Sequence, residues 1–484
     1  MKLKTLYAIS VTAITSLFLA SVSPPIIPNK NQSTNDSMIF TGKLENGATI
    51  KVLENNTAIS KGYFAELIAT FNEMYADENI IAVDANIDQY VDLANDGPYG
   101  YGPDVLYQAN DVIMKYAEDK HIYPLPIKDL DAYETTSSMA WKAFEYHLDG
   151  TTYTLGVPVN VQTPMLYYRK DLLPVDWESK WDDNKNQIPD MVETWSSLLR
   201  FSQERHAADS SKYGYMKSLY DSYFSSGFLF SYGAYIFGND NLDTNDIGFA
   251  SGDAEKGAKV IQQLASAMNE ESIDDTITTS AYSKLADGTF FATMSTPDVY
   301  STFLDELIQY YEHQGMSTIE AETLASENLV MVNLPQLPKS GDLTDVNSEL
   351  IDTKTMGGVN GYAISAYTPC PNASLAFVNF ATNYENILKR YEMLGIVSTR
   401  SDVIKEIGGI SEAVYGELEN NNIVLMPSNS AVSQIWTPTQ TFFADITKDV
   451  FRAESEKKFR TNQDLKQGLE KVTQQISGVI HTLE

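Results

Sequence analysis

Apolar and polar positions in the first part of the chain alternate between two periodicities. Residues 48–53 form a short apolar run typical of a strand, and residues 62–75 repeat apolar side chains at helical spacing. Strand-like runs follow at residues 80–84 and 103–107, and residues 111–118 return to helical spacing. This strand–helix order predicts a layered α/β unit with a mainly parallel sheet.

Helical patterns dominate further along the chain. Residues 157–159, 165–168 and 358–366 have strand character, whereas helices are predicted from residues 195, 254, 299 and 373. The tail from residue 430 is mostly helical, with Leu465, Leu469, Val472 and Ile476 on one face. Because 484 residues exceed what one hydrophobic core usually covers, we expect two lobes.

The N-terminal segment has the pattern of an export signal. Lys2 and Lys4 precede a largely apolar run over residues 6–22, which is nearly long enough to span a bilayer. Residues 1–23 are therefore predicted to be a signal peptide or an N-terminal anchor, and the polar residues 24–45 a linker. We expect an exported protein, periplasmic or extracellular, that is held at the membrane if the segment is retained.

The charge balance narrows the choice of partners. The chain has 34 Lys and Arg against 65 Asp and Glu, a net charge of −31, so phosphate backbones and anionic lipid surfaces would be repelled. No nucleic-acid partner is expected. With a single cysteine, Cys370, an internal disulfide is excluded, and the five scattered His residues form no zinc pattern.

Three separated segments carry a resemblance to a known family. They are residues 156–173 (GVPVNVQTPMLYYRKDLL), Pro103–Val105 followed by Asp111 and Tyr116, and residues 426–436 from Met-Pro to Trp436. Their order and spacing resemble the maltose-binding-protein-like solute receptors (family 1) of ABC sugar importers. The resemblance implies a non-catalytic monomer that captures an oligosaccharide, such as a maltodextrin or a related sugar, and delivers it to an ABC permease.

The fold implied by this resemblance is α/β, the type II periplasmic-binding-protein fold, with two discontinuous lobes and the ligand cleft between them. Lobe one would comprise residues 46–160 and 358–404, and lobe two residues 161–357 and 405–484. Closure of the lobes around the ligand would produce the form that a permease recognises.

The same resemblance assigns ligand contacts. Trp436 and Tyr223 fall at positions of stacking rings, Asp221 and Asp111 at positions of hydroxyl-binding acids, and Lys61 at that of a sugar-binding Lys. Aromatic faces suit the C–H side of a sugar ring, and carboxylates suit its hydroxyl groups.

The chain also departs from the family pattern. Gln108 stands where the family has a Trp, Gln162 where it has a Glu, and Asp298 replaces another stacking Trp, with Tyr300 close enough to supply a ring. Fewer aromatic platforms favour a different or shorter sugar than long maltodextrins.

A polar insertion contains a second pattern, that of a calcium-binding loop. With Asp182 as position 1, oxygen-bearing side chains stand at positions 3, 5, 9 and 12, and position 7 would offer its backbone carbonyl; these residues are Asn184, Asn186, Asp190, Glu193 and Ile188. The usual glycine at position 6 is Gln187, which strains the turn. The spacing predicts one structural calcium ion, against the alternative of an ordinary polar surface loop.

Other functions remain open at the level of sequence. A secreted glycosidase needs two carboxylates across a scissile bond, and no such pair is recognisable. A receptor for a peptide, an amino acid or a polyamine would use the same fold, and a cationic ligand would suit Asp111, Asp221 and Asp298 if all three line the cleft. A purely structural surface protein would need no hinge.

Overall fold

The computed structural model describes residues 39–86, 93–148, 150–269 and 276–483. The predicted signal or anchor and most of the predicted linker lie outside these residues. The strands in chain order are β1 (Thr49–Leu53), β2 (Ile81–Asp84), β3 (Val105–Ala109), β4 (Glu145–Leu148), β5 (Thr151–Thr154), β6 (Val157–Gln162), β7 (Met165–Arg169), β8 (Tyr213–Tyr215), β9 (Asp243–Ile247), β10 (Phe290–Ser295), β11 (Leu329–Val332), β12 (Leu337–Pro338), β13 (Leu350–Ile351), β14 (Thr355–Ile364), β15 (Val397–Ser398) and β16 (Ile423–Leu425).

The helices in chain order are α1 (Asn56–Ser60), α2 (Tyr63–Met74), α3 (Leu93–Asp96), α4 (Asn110–Glu118), α5 (Ser138–Lys142), α6 (Trp177–Lys180), α7 (Asp190–Glu193), α8 (Trp195–Ala208), α9 (Ser222–Phe230), α10 (Ala254–Ala265), α11 (Thr276–Ala286), α12 (Tyr300–His313), α13 (Thr318–Asn328), α14 (Pro371–Ala381), α15 (Tyr384–Leu394), α16 (Ser401–Ile407), α17 (Gly409–Glu419), α18 (Trp436–Asp449) and α19 (Asn462–Leu483).

Two main sheets organise these elements. The larger has the order β15-β6-β14-β3-β1-β2, with β16 paired to the start of β14, and the smaller has the order β11-β7-β10-β8. We call the part around the larger sheet lobe one and the part around the smaller sheet lobe two. The lobe boundaries drawn from the sequence stay a prediction.

The prediction of a mainly parallel sheet was wrong for the larger sheet, which is mixed. β1 pairs in parallel with β2 and β3, as alternating strands and helices require, but β14 runs antiparallel to both β3 and β6. β14 arrives from far along the chain and is not joined to its neighbours by a short helical crossover, so its direction is not fixed by the parallel-unit rule.

The chain passes between the sheets through short, tightly bonded segments. β6 ends at Gln162 in the larger sheet, and β7 begins at Met165 in the smaller one. The hydroxyl groups of Thr163 and Thr355 hydrogen-bond at 2.6 Å, which ties this passage to the first residue of β14. Two passages that hold each other can bend together while each sheet stays intact, which suits a hinge.

Each lobe has its own buried core. Apolar side chains of α2 and α14 pack with those of β1 and β3 on one face of the larger sheet, and those of α4 and α5 form a second cluster with Leu106 and Val359. A larger cluster surrounds the smaller sheet and includes the face of α19 predicted from its helical repeat. None of the described helices is long and apolar enough to cross a membrane.

Residues 39–45, at the end of the predicted linker, pack on lobe one. The Glu45 carboxylate accepts hydrogen bonds from the backbone N–H groups of Asn372 (3.1 Å) and Ala373 (2.8 Å), in the first turn of α14. Phe40 and Leu44 contact the adjacent core. A carboxylate at the start of a helix satisfies N–H groups that have no partner within the helix, so this short segment is firmly attached.

Candidate functional site

The nine residues predicted to contact a ligand all lie at the ends of strands or helices, and all nine are half-buried. Gln108 and Gln162 lie near the carboxyl ends of β3 and β6, and Asp111 lies in the first turn of α4. Asp221 caps α9 by accepting a hydrogen bond from Tyr223 N at 3.0 Å. Lys61 follows α1, Asp298 lies in the turn Pro297–Val299, and Tyr300 and Trp436 begin α12 and α18.

Both lobes contribute acidic residues around one hydroxyl group. Burial raises the pKa of Tyr223 well above its usual value, and the negative charges of Asp298, Asp221 and Asp111 raise it further. Asp111 belongs to lobe one, whereas the other two acids belong to lobe two. The structure therefore brings together the three carboxylates that the sequence left unconnected.

Asp298 interacts with residues of both lobes. Burial raises the pKa of its carboxyl group, and hydrogen bonds from the side chains of Thr296 and Gln162 act in the opposite direction. Gln162 comes from β6 of lobe one, so the contact between Gln162 and Asp298 joins the lobes.

Three polar atoms of this group are buried without a hydrogen-bond partner among the described residues. They are the Tyr223 hydroxyl, Oε1 of Gln162 and Oδ1 of Asp298. Buried polar atoms in folded proteins nearly always have a partner, and an unpaired one costs about 1–3 kcal/mol. These three atoms are therefore available for hydrogen bonds to a bound polar group.

Aromatic rings border the same place. Ser222, between Asp221 and Tyr223, donates a hydrogen bond to the backbone oxygen of Trp436 at 3.3 Å, which places the start of α18 beside the start of α9. The ring of Tyr300 lies 6.3 Å from that of Tyr167, which is part of the core. Trp436 and Tyr300 thus both belong to lobe two, at the starts of α18 and α12.

One edge of the cleft is closed by direct contacts between the lobes. Lys61 forms an ion pair with Asp305 of α12, and the Tyr300 ring lies against Gly395, which follows α15 of lobe one. Lys61 is therefore paired with another residue of the chain, and the two lobes are in direct contact along this edge, as in a closed form.

A buried charged network supports the lobe-one wall. Arg390 of α15 binds both carboxylate oxygens of Glu54, at 2.8 and 3.0 Å, and neither side chain is exposed. The guanidinium group lies 4.2 Å from the centre of the Tyr107 ring, and the Tyr107 hydroxyl donates to Asn160. Tyr107 is the neighbour of Gln108 in β3, so the network holds rigid the strand that carries a predicted contact.

Asn110 fixes the adjacent acid. Its side chain is fully buried, donates to the backbone oxygen of Met426 at 3.2 Å and accepts from Val359 N at 3.2 Å. These bonds attach the start of α4, and with it Asp111, to β14 and to the segment that follows β16.

A separate groove of about 680 Å³ lies between the β4–β5 hairpin, α5 and residues 421–429, with residues 240–244 at its side. None of the nine predicted contacts lines it.

The predicted calcium loop folds around its own oxygen atoms. Oδ1 of Asp182 accepts a hydrogen bond from Asn186 N at 3.0 Å, and the Asp190 carboxylate accepts from Asp183 N. The Glu193 carboxylate receives the side-chain amides of Asn184 (3.0 Å) and Asn186 (2.6 Å). The donor set that the sequence predicted is thus gathered in one loop, with carboxylates and amides of the kind that calcium prefers.

The backbone of this loop is strained at Gln187, position 6, as the sequence predicted. Gln187 has φ +67° and Lys185 has φ +57°, both in the left-handed region that favours glycine. No three His, Cys, Asp or Glu side chains of the described residues form a ready metal-binding group, so calcium binding here would depend on amides and a carbonyl as well as on acids. The calcium site stays a prediction.

Comparison with known proteins assigns the family. Residues 66–414 match the family described as "Bacterial extracellular solute-binding protein". The chain belongs to this family. It is therefore a binding protein and not an enzyme.

Individual relatives agree with this assignment. This solute-binding protein is 24% identical over 366 residues to the galactooligosaccharide-binding protein of Bacillus subtilis, with 73% of this chain and 74% of the relative covered. It is 23% identical over 369 residues to a maltooligosaccharide ABC transporter solute-binding lipoprotein of Streptococcus pneumoniae, with 73% of each chain covered.

Solved structures establish the fold. The crystal structure of MalX from Streptococcus pneumoniae in complex with maltopentaose superimposes with a TM-score of 0.67 at 18% identity, covering 89% of this chain and 99% of that one. The predicted two-lobed α/β periplasmic-binding fold is confirmed. The role of each predicted ligand contact stays a prediction.

Several residues that shape the site were not predicted from the sequence. Glu54 follows β1 and Arg390 lies within α15, so 336 positions separate the partners of the buried ion pair. No local pattern connects residues so far apart. Asn110 directly precedes the predicted binding acid Asp111, which is the one signal that the sequence offers for it, and the resemblance gave it no role.

Proposed function

We propose that this solute-binding protein captures an oligosaccharide outside the cytoplasm and delivers it to the permease of an ABC importer. The observation that carries the proposal is the set of unpaired atoms on Tyr223, Gln162 and Asp298, buried where the two lobes meet. Sugars supply many hydroxyl groups that both donate and accept, and such groups would satisfy all three atoms.

The names of the relatives support the sugar class. One relative is named for galactooligosaccharides and another for maltooligosaccharides, and the second is named as part of an ABC transporter. The two names differ in the sugar, so the substrate proposed for this chain is an oligosaccharide of unspecified linkage, shorter than long maltodextrins because Gln108 and Asp298 offer no stacking ring.

The mechanism of ligand capture follows from contact between the two lobes in the closed form. The ligand would contact Asp111 and Gln162 on lobe one and Asp221, Tyr223, Asp298 and Trp436 on lobe two, so it gains its full set of contacts only when the lobes meet. A ligand that binds the closed form more tightly shifts the population toward that form. The closed monomer would then be the form that the permease binds. This binding would take place at the outer face of the membrane across which the protein is exported.

Titration of tryptophan fluorescence tests the proposal. The exported chain is mixed with mono- and oligosaccharides, and with a peptide and a polyamine for comparison. A saturable change with one class of sugar is expected, accompanied by a smaller radius of gyration in solution scattering. No response to any sugar, with a response to the peptide or the polyamine, would refute the substrate class while leaving the family unchanged.

A further inference from the structure

A pocket of about 320 Å³ lies beside helix α8 in lobe two, and we call it the α8 pocket. Four apolar side chains line one side of it: Leu172, Pro174, Trp181 and Phe201. Trp181 and Phe201 belong to the core of the lobe, so this side of the pocket is firmly placed. None of the nine predicted ligand contacts lines the α8 pocket, so it is separate from the cleft. Sites for small molecules have volumes of about 300–1,000 Å³, so a small ligand would fit.

The polar side of the α8 pocket carries more positive than negative charge. Its charged side chains are Lys180, Glu204, Arg205, Asp209 and Lys212. Lys180 and Glu204 form an ion pair at 2.6 Å and offset each other. Two cations, Arg205 and Lys212, then face one acid, Asp209, which leaves a surplus of one positive charge. This surplus is unusual for a chain whose net charge is −31.

The guanidinium group of Arg205 is only partly paired. Its Nη2 atom donates a hydrogen bond to the backbone oxygen of Gly288 at 2.9 Å, whereas Nε is buried without a hydrogen-bond partner among the described residues. Burial lowers the pKa of Arg205 from its usual value, and the charge of Asp209 acts in the opposite direction. A half-buried cation of this kind is stabilised by any anion that reaches it, because burial has removed part of its water.

The one acid of the pocket is held on its own loop. Oδ1 of Asp209 accepts hydrogen bonds from the backbone N–H (2.9 Å) and the hydroxyl group (2.7 Å) of Ser211. These bonds, and the charges of Lys212 and Arg205, hold the pKa of Asp209 below its usual value. In the part of the chain that the structure describes, neither Arg205 nor Lys212 forms an ion pair. Both are therefore able to bind a further anionic group.

The two sides of the pocket suit one kind of ligand. An apolar body can lie against Leu172 and Pro174, while an anionic group at Arg205 and Lys212 gains charge-assisted hydrogen bonds. A neutral sugar would bring no charge to these cations. A polyanion would be repelled by the net charge of −31 on the rest of the chain, whereas a single negative charge is repelled least.

We propose that the α8 pocket is a second binding site, for a small organic carboxylate with one negative charge and an apolar body. The residues that line it surround the core of lobe two, so its shape does not depend on closure of the cleft. This site goes beyond the capture of an oligosaccharide, and either function can fail without the other.

Calorimetric titration of the exported chain at neutral pH tests the inference with two matched pairs of probes. Phenylacetate is compared with phenylacetamide, and hexanoate with hexanamide, because each amide keeps the shape of its acid and lacks the charge. Acetate supplies the charge without the apolar body. At least one of the two larger carboxylates is expected to bind about tenfold or more tightly than its amide, and about tenfold or more tightly than acetate.

The variant Lys212→Gln locates the site. It removes one unpaired cation and leaves the bond between Arg205 and Gly288 in place, so the fold should be kept, which thermal unfolding can establish. The affinity for the carboxylate should fall about tenfold, and the preference over the amide should shrink by the same factor. Lys339→Gln removes a cation from an exposed ion pair with Glu349 and should keep the affinity of the parent.

Three results would overturn the inference. If carboxylate and amide bind equally well, the pocket has no preference for an anion. If the preference survives in Lys212→Gln, the carboxylate binds elsewhere on the chain. If neither phenylacetate nor hexanoate binds at concentrations up to about 10 mM, the pocket is not a site for this class of ligand. In each case the proposed capture of an oligosaccharide is unaffected, since sugar binding is measured in a separate titration.

Discussion

Removing the negative charge of Glu54 should unfold lobe one at a distinctly lower temperature. Glu54→Gln leaves Arg390 charged in a site where neither side chain is exposed. Breaking one half of a buried ion pair costs about 3–5 kcal/mol, because the remaining charge has lost both water and its partner. The Tyr362 hydroxyl, which donates to Glu54 and lies 3.0 Å from Arg390 Nη1, loses part of its support as well.

Thermal unfolding measures the size of this loss of stability. For a folding unit of about 150–250 residues, 1 kcal/mol shifts Tm by about 2–4 °C, so Glu54→Gln should lower Tm by roughly 6–20 °C. Differential scanning calorimetry measures it, with Glu349→Gln as the control in which an exposed ion pair is lost and Tm should not change measurably.

A double variant separates the effect of charge on stability from the effect of packing. Glu54→Gln with Arg390→Met removes both charges and keeps most of the volume, so it should be less destabilised than the two single variants combined. The reasoning would be refuted by a Tm for Glu54→Gln within about 2 °C of the parent, or by fully additive single effects.

Further predictions concern the cleft and the loop. Trp436→Ala should weaken ligand binding by about 1–3 kcal/mol, the typical value of a buried aromatic contact, in a fluorescence or calorimetric titration, and an unchanged Kd would remove Trp436 from the site. Asp305→Asn breaks the ion pair at the edge of the cleft and should raise the radius of gyration of the ligand-free protein; identical scattering would show that this pair does not hold the lobes together. Asp190→Ala should abolish a rise in Tm on addition of calcium, and the absence of any rise in the parent would disprove the metal site. Burial in the closed form raises the pKa of Asp298 and Asp111, so the closed form binds more protons than an open one. Lowering the pH through these raised values toward the usual aspartate value of about 4 should therefore favour closure without ligand, and scattering that shows no change or an opening would contradict this.

Much of the fold could be predicted from local patterns. The helix predicted at 62–75 is Tyr63–Met74, that from residue 299 is Tyr300–His313, and the apolar face of Asn462–Leu483 packs as expected. The helix Thr318–Asn328 was missed because its apolar repeat is weak. It did have a readable sign, since Ser317 and Glu320 form a capping box.

The site was less accessible to prediction because its geometry is made by distant parts of the chain. Asp111, Asp221 and Asp298 were each suggested by resemblance, but only folding places them around one hydroxyl group. The ion pair between Lys61 and Asp305 joins positions 244 residues apart and could not be foreseen from either neighbourhood. At Gln187, in contrast, the sequence was sufficient. It indicated a strained turn, and the backbone of Gln187 does lie in the left-handed region.

The attachment of Glu45 to the first turn of α14 decides which lobe can move freely. Any constraint applied through the residues before Ile39 is transmitted to lobe one, because residues 39–45 are bonded to Asn372 and Ala373. Lobe two is joined to that restrained part by the short passages of the hinge and by contacts at the edge of the cleft, such as the ion pair between Lys61 and Asp305. In a protein held by its N-terminal end, lobe one would act as the fixed base, and closure would be the swing of lobe two with Trp436, Tyr223 and Asp298 toward it.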